Sequence, residues 1–182
     1  MINMIARRRR DSITNYRKRL ALLKGDKTRL VVRKTNRHII IELVDYKVDG
    51  DKVLTTVNSK DLEKLGWVSH SNLPTAYLAG LMMAKKAKEL KFSKEVLLDM
   101  GLYKPMKNGV IFAAAEGCID GGLKVIGSFK VDKERISGKH IADYIKEDPS
   151  KEKLFSSYSK NKFNAKNFPE TFKEIKSKIN GA

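Results

Sequence analysis

The chain has 182 residues, with 38 Lys and Arg against 21 Asp and Glu, a formal charge of +17 and a pI near 9.9. A hydrophobic fraction of 41% supports a packed core and excludes a wholly disordered polypeptide, and the length fits one domain with appendages. The charge calls for an extended anionic partner, a nucleic acid or an anionic membrane surface, while the single cysteine, Cys118, excludes an intrachain disulfide and a cysteine-based zinc site.

The charge is concentrated at the front. Residues 1–40 carry 13 basic and 2 acidic side chains, whereas residues 41–145 carry 16 and 14. Nine of the ten arginines lie at or before Arg37; the 28 lysines are spread along the chain. Lysine serves general solubility, but a planar guanidinium suits bidentate phosphate contacts and stacking on bases. This segregation favours RNA or DNA over a merely solvated charged face.

Arg7 to Arg10 have nothing apolar to bury and are expected to be mobile until bound. A helix is expected to follow from near Ile13, capped by Ser12 or Asp11 and stopped by Gly25. Its stripe of Ile13, Tyr16, Leu20 and Leu23 should dock on the body, because so short a helix is marginal alone. Residues 28–35, 37–48 and 51–58 read as strands joined by short links, with Asp49-Gly50 a hairpin signal, so they form an antiparallel meander. Alternation puts Leu30 and Val32 on one face and Arg29, Val31 and Arg33 on the other. A helix is expected within 66–90, capped by Asn72 or Ser71 with Pro74 in its first turn and Trp67 as a core anchor ahead of it. A short strand (95–102), a helix within 108–122 and a strand near 123–129 then predict parallel βαβ units. Beyond Val131 come a turn or two of helix around Ile141, Tyr144 and Ile145, ended by Pro149. After an aperiodic polar stretch, 169–179 reads as a terminal helix with Phe172, Ile175 and Ile179 on one side.

The expected fold is thus α/β with a mixed sheet: an N-terminal antiparallel meander continuing into βαβ units. It divides into a basic arm with a short helix (1–27), an α/β core (28–130) and a C-terminal extension (131–182).

Enzymatic chemistry finds no positive support. Asp99, Glu116 and Asp120 are the carboxylates available for a metal-dependent nuclease, and the last two share a helix face at a spacing common on solvated helices. His38, His70 and His140 are scattered, and neither a GxSxG elbow nor a phosphate-binding glycine loop is present. No apolar run approaches the ~20 residues that span a bilayer, and no apolar segment suited to a secretory signal follows the arginines. A membrane-surface protein would need an amphipathic helix with an exposed apolar face. A metal site, a cofactor, a small-molecule substrate and a membrane partner are therefore not expected.

The stretches "NYRKRL" and "TRLVVRKTNRHI" resemble the large-subunit ribosomal protein family numbered eighteen in the bacterial scheme, which binds 5S ribosomal RNA. "SNLPTAYLAGLMMAKKA", "EVLLDMGLY", "GVIFAAAEGCIDGGL", "ERISGKHIADY" and "FSSY" are similar to its archaeal and eukaryotic branch, and the chain length favours an archaeal member. The resemblance runs from about Arg7 to Tyr158 and rests on the ordered series of motifs. It implies a central α/β domain with a basic arm, placed in the central protuberance of a cytoplasmic ribosome. There the chain would bind 5S rRNA, touch the large-subunit rRNA and meet neighbouring ribosomal proteins. By motif matching, Arg17, Arg19, Arg29, Arg33, Lys34, Asn36, Arg37 and His38 are expected to face RNA. Tyr16 and Lys18 go with the same helix, and Arg7, Arg8, Arg9 and Arg10 with Ser69, His70, Ser71 and Asn72 complete the set.

Overall fold

A computed structural model describes residues 7–147, 154, 155, 158, 163 and 167–181. The helices are α1 (Arg7–Arg10), α2 (Tyr16–Leu23), α3 (Leu73–Glu89), α4 (Val110–Asp120), α5 (Lys133–Ile136), α6 (Lys139–Glu147) and α7 (Phe168–Gly181), with a 3-10 helix at Ser59–Leu65. The strands are β1 (Thr28–Lys34), β2 (Ile39–Asp45), β3 (Lys52–Asn58), β4 (Val96–Asp99) and β5 (Val125–Ile126), in the order β3-β2-β1-β4-β5.

The meander and the crossovers are both present. β1 pairs antiparallel with β2 and β2 with β3, while β1 pairs parallel with β4 and β4 with β5. The last strand keeps only two of the seven residues expected, so β5 is a short edge. One face of the sheet carries Leu30, Val32, Ile39, Ile41, Leu43 and Val57, buried under α3 and α4. The second face of β1 is covered by the N-terminal arm, and Arg29 and Val31 are nearly inaccessible there.

Helices α3 and α4 approach so closely that two glycines are required. A Cβ on Gly80 would stand 2.1 Å from the Ala114 carbonyl oxygen, and one on Gly117 would stand 2.2 Å from that of Tyr77. Asn72 caps α3: its Oδ1 accepts from the Thr75 amide at 3.1 Å, and Pro74 sits in the first turn as expected. Cys118 is buried on α4, where desolvation pushes its thiol far above the ordinary range, and Met83 is fully buried.

The stretch assigned to a C-terminal extension joins the same apolar cluster through Tyr158, Phe163, Phe168, Phe172, Ile175 and Ile179. Trp67, 2% exposed, is edge-on to Phe163, Phe168 and Phe172 at 5.4, 5.1 and 6.2 Å between ring centres. Its indole N–H donates to Thr75 Oγ1 at 2.9 Å, satisfying the one polar atom that burial would strand. On α7, Lys176 Nζ donates to Tyr77 Oη at 2.8 Å, and Tyr77 donates to Asp120 at 2.6 Å. Gly138, at φ +74°, lies where a Cβ would meet the Phe168 ring at 2.2 Å, so the loop between α5 and α6 admits no side chain there. Pro149, expected to end α6, lies outside the described residues.

The N-terminal helix departs from expectation. It starts at Tyr16 rather than Ile13 and is capped by Asn15, whose Oδ1 accepts from the Lys18 amide at 3.0 Å. Ser12 has φ +53° and Asp11 pairs with Arg7 and Arg10, so neither caps it. The expected docking stripe is mostly in water, with Ile13, Tyr16 and Leu20 at 52%, 38% and 57% exposure. The helix instead turns Arg19, Leu22 and Leu23 toward the sheet, because Arg19 reaches Asp51 of the β2–β3 connection at 2.8 Å. Arg7 to Arg10 form a single helical turn with no buried residue.

Candidate nucleic-acid interface

The basic residues singled out in the sequence divide into two sets. Arg19, Arg29 and Arg33 turn toward two carboxylates on the second face of the sheet. Arg29 Nη1 is 3.3 Å from Asp99 Oδ2, and its Nη2 is 2.8 Å from Asp51 Oδ2. The second contact is an ion pair without a well-aimed hydrogen bond, and Arg29 Nε has no partner among the described residues. Arg19 Nη2 approaches the same Asp51 oxygen at 2.8 Å. Arg33 donates to Asp99 Oδ1 at 3.0 Å and to the Asp99 carbonyl at 2.7 Å, and the Gly101 amide completes the set on Oδ1 at 2.8 Å.

Arg29, expected to face RNA, is 3% exposed here and turned onto Asp51 and Asp99. Alternation put it on the sheet face opposite Leu30 and Val32, which is right, but that face is roofed by the arm across a cleft of about 530 Å³. Arg33 is only partly available, since both of its terminal nitrogens are engaged. The sequence held a signal: Asp99 ends an apolar strand, and a carboxylate so placed needs a cation beside it. Asp99, Glu116 and Asp120, the carboxylates considered for metal chemistry, do not converge. Glu116 accepts from the Val131 amide and Asp120 from Tyr77.

The second set points outward. Arg17, Lys18, Lys34 and Arg37 are exposed, as are Arg7 to Arg10. Arg7 and Arg10 lie 3.6 Å from Asp11, and Arg8 Nε donates to Thr14 at 2.8 Å. Among the described residues Arg9, Arg17, Lys18, Lys34 and Arg37 have no acidic partner within ion-pair distance. Asn36 and Arg37 form the exposed tip of the β1–β2 turn, which closes through Thr35: its hydroxyl accepts from the His38 amide at 2.9 Å, and its amide donates to the His38 carbonyl at 2.8 Å. Tyr103 Oη donates to the Lys34 carbonyl at 2.6 Å, tying the loop after β4 to the same corner. These links tie down the turn that carries the cations.

The "SHSN" segment is buried at Ser69 and half-buried at His70, Ser71 and Asn72. Ser69 is buried and shares a 2.8 Å hydrogen bond with Ser59, whose hydroxyl also accepts from the Ile39 amide at 3.0 Å. Asn72 is used at both ends, as the α3 cap and as a donor to Tyr158 Oη at 3.0 Å. Burial pushes the Tyr158 phenol up to about 12. His70 packs edge-on against Tyr158 at 4.7 Å between centres, and desolvation holds its imidazole below the usual value, with a smaller contribution from His38. Ser71 Oγ and His38 Nδ1 are buried without partners among the described residues. The cap at Asn72 was legible in the sequence, whereas its link to Tyr158 and the Ser69–Ser59 bond were not.

Residues 3–94 match a family model described as ribosomal large subunit proteins 60S L5 and 50S L18. The chain is 41% identical over 179 residues to the large ribosomal subunit protein uL18 of Korarchaeum cryptofilum, covering 95% of this chain and 91% of the relative. The chain belongs to the large-subunit ribosomal protein L18 family. That relative is archaeal, in keeping with the branch that the motifs resemble. As a member the chain is a structural constituent of the large ribosomal subunit in the cytoplasm, not an enzyme, and ribosomal RNA and ribosomal proteins are its partners. No described helix is long and apolar enough to cross a membrane.

Proposed function

We propose that this chain binds 5S ribosomal RNA and helps attach it to the large-subunit rRNA in the central protuberance, against neighbouring ribosomal proteins. The observation that carries the reading is the partition of its cations. Arg19, Arg29 and Arg33 are spent on Asp51 and Asp99. Eight others, Arg7 to Arg10, Arg17, Lys18, Lys34 and Arg37, stay exposed on the arm and at one corner of the sheet.

Folded RNA presents dense phosphate, yet its A-form major groove is too narrow for side chains to read. A protein fixing such an RNA therefore combines phosphate clamps with contacts to loops, bulges and 2′-hydroxyls. The rigid β1–β2 turn supplies Lys34 and Arg37 at a fixed place and sets orientation. The arm supplies reach, since a short chain segment carrying Arg7 to Arg10 can follow a phosphate backbone. Eight phosphate contacts give log affinity a slope against log salt of roughly −7 on the duplex coefficient.

The test is filter binding of the full chain to 5S rRNA across a salt series. Arg37→Ala weakens binding by about 1–3 kcal/mol and reduces the salt slope by about 1. Wild-type affinity in a Lys34→Ala, Arg37→Ala double variant overturns this surface.

A further inference from the structure

We propose that the groove between α2 and the loop after β4 receives one unstacked RNA base, with Tyr16 as its stacking platform. This rests on the RNA-binding reading above and names what the arm recognises besides phosphate.

The groove has a volume of about 580 Å³ and is lined by Tyr16, Leu20 and Leu102 together with Arg9, Arg17 and Thr14. Its apolar members are uncovered: Leu20 and Leu102 are 57% and 55% exposed and Tyr16 is 38% exposed. The chain does not need them to hold α2 in place, because Arg19, Leu22 and Leu23 already face the sheet. Tyr16 and Leu20 therefore have no packing task inside the molecule.

Charge decides the occupant. Arg9 and Arg17 line the same groove, and neither has an acidic partner among the described residues. A mixed groove that sets three apolar side chains beside two guanidinium groups without acidic partners suits a ligand that joins a flat apolar ring to an anion. A nucleotide is such a ligand. Its base can stack on the Tyr16 ring and lie against Leu20 and Leu102, with the adjoining phosphate at Arg17 or Arg9. Stacking on an aromatic side chain beside arginine is how unpaired RNA bases are held in general. An apolar protein segment would fill the same slot but leave both charges unanswered.

Filter binding of the full chain to 5S rRNA at fixed salt and across a salt series tests the assignment. Tyr16→Ala is expected to lower affinity about 5- to 150-fold, the range of one lost stacking contact, with the salt slope unchanged because no charge is removed. Tyr16→Phe keeps the ring and is expected to bind as the wild type does. Tyr16 is solvent-facing on α2 and alanine is a good helix former, so the variant retains its fold, which circular dichroism checks. Loss in Tyr16→Phe equal to that in Tyr16→Ala overturns stacking in favour of a hydroxyl contact. Wild-type affinity in Tyr16→Ala, with Arg37→Ala still weakened, removes the base receptor but keeps the RNA reading, and hands the groove to a protein neighbour. If neither variant weakens binding, the RNA reading falls first and takes this inference with it.

Discussion

Arg29 on β1 and Asp99 on β4 meet at 3.3 Å between two parallel strands, each less than a tenth exposed. Breaking such a pair leaves a buried charge uncompensated. Arg29→Ala is expected to cost about 3 kcal/mol, the low end of the usual penalty because Arg33 still holds Asp99. Urea unfolding measures it, with Arg37→Ala as the control whose midpoint stays put. An unmoved midpoint for Arg29→Ala would remove its structural role and return it to the RNA-facing set.

The α3–α4 crossing sets a second limit. A methyl at Gly80 would run into the Ala114 carbonyl at 2.1 Å, and backbone cannot rotate away as a side chain can. Gly80→Ala, favourable by helix propensity alone, is expected to destabilise by at least the ~1–3 kcal/mol typical of overpacking. At ~2–4 °C per kcal/mol the melting temperature drops by several degrees; a rise would show that the helices can part without cost.

Trp67 is the only tryptophan, so its emission reports directly on the aromatic cluster. Phe168→Ala removes the ring 5.1 Å from the indole and is expected to cost about 3–5 kcal/mol. The emission should shift to the red as water reaches the indole. A blue-shifted, wild-type spectrum would mean that α7 is dispensable to the core.

Acid should weaken the fold through its histidines. Desolvation lowers the imidazole of half-buried His70 below the ordinary 6.5, and desolvation with the nearby Arg135 lowers that of the more exposed His140, so the unfolded chain binds protons more readily than the folded one in that window, chiefly through His70. Stability is therefore full above about pH 6.5 and is lost as pH falls from there toward the folded values. Glu116, raised by burial, acts with the opposite sign from near 4.5 upward. Thermal melts between pH 7.5 and 5.5 should show a falling midpoint, and His70→Gln should flatten part of it. A flat wild-type profile would contradict the desolvation of the half-buried His70 ring.

The strands were legible from their density of β-branched and aliphatic residues and from the turn residues between them. Leu30, Val32 and the Asp49-Gly50 turn specified the meander, and the apolar runs around Leu78 and Ala114 specified the crossover helices. The α2 stripe misled because helical spacing shows which side chains share a face, not which face meets the body. That choice was made by Asp51, 32 residues away from Arg19 in sequence. The same limit applies to the interface: Arg29 and Arg37 look alike in the string and differ by which of them sits across from a carboxylate.

By itself the sequence determined that this protein is a basic α/β chain with its arginines at the front, because charge and hydrophobic period are local and additive. Tertiary structure alone decided which arginines remain free to bind, that the last helix completes the core around Trp67, and that Gly80 and Gly138 admit no side chain. Those outcomes depend on distances between residues remote in the chain, and such distances exist only once the chain has folded.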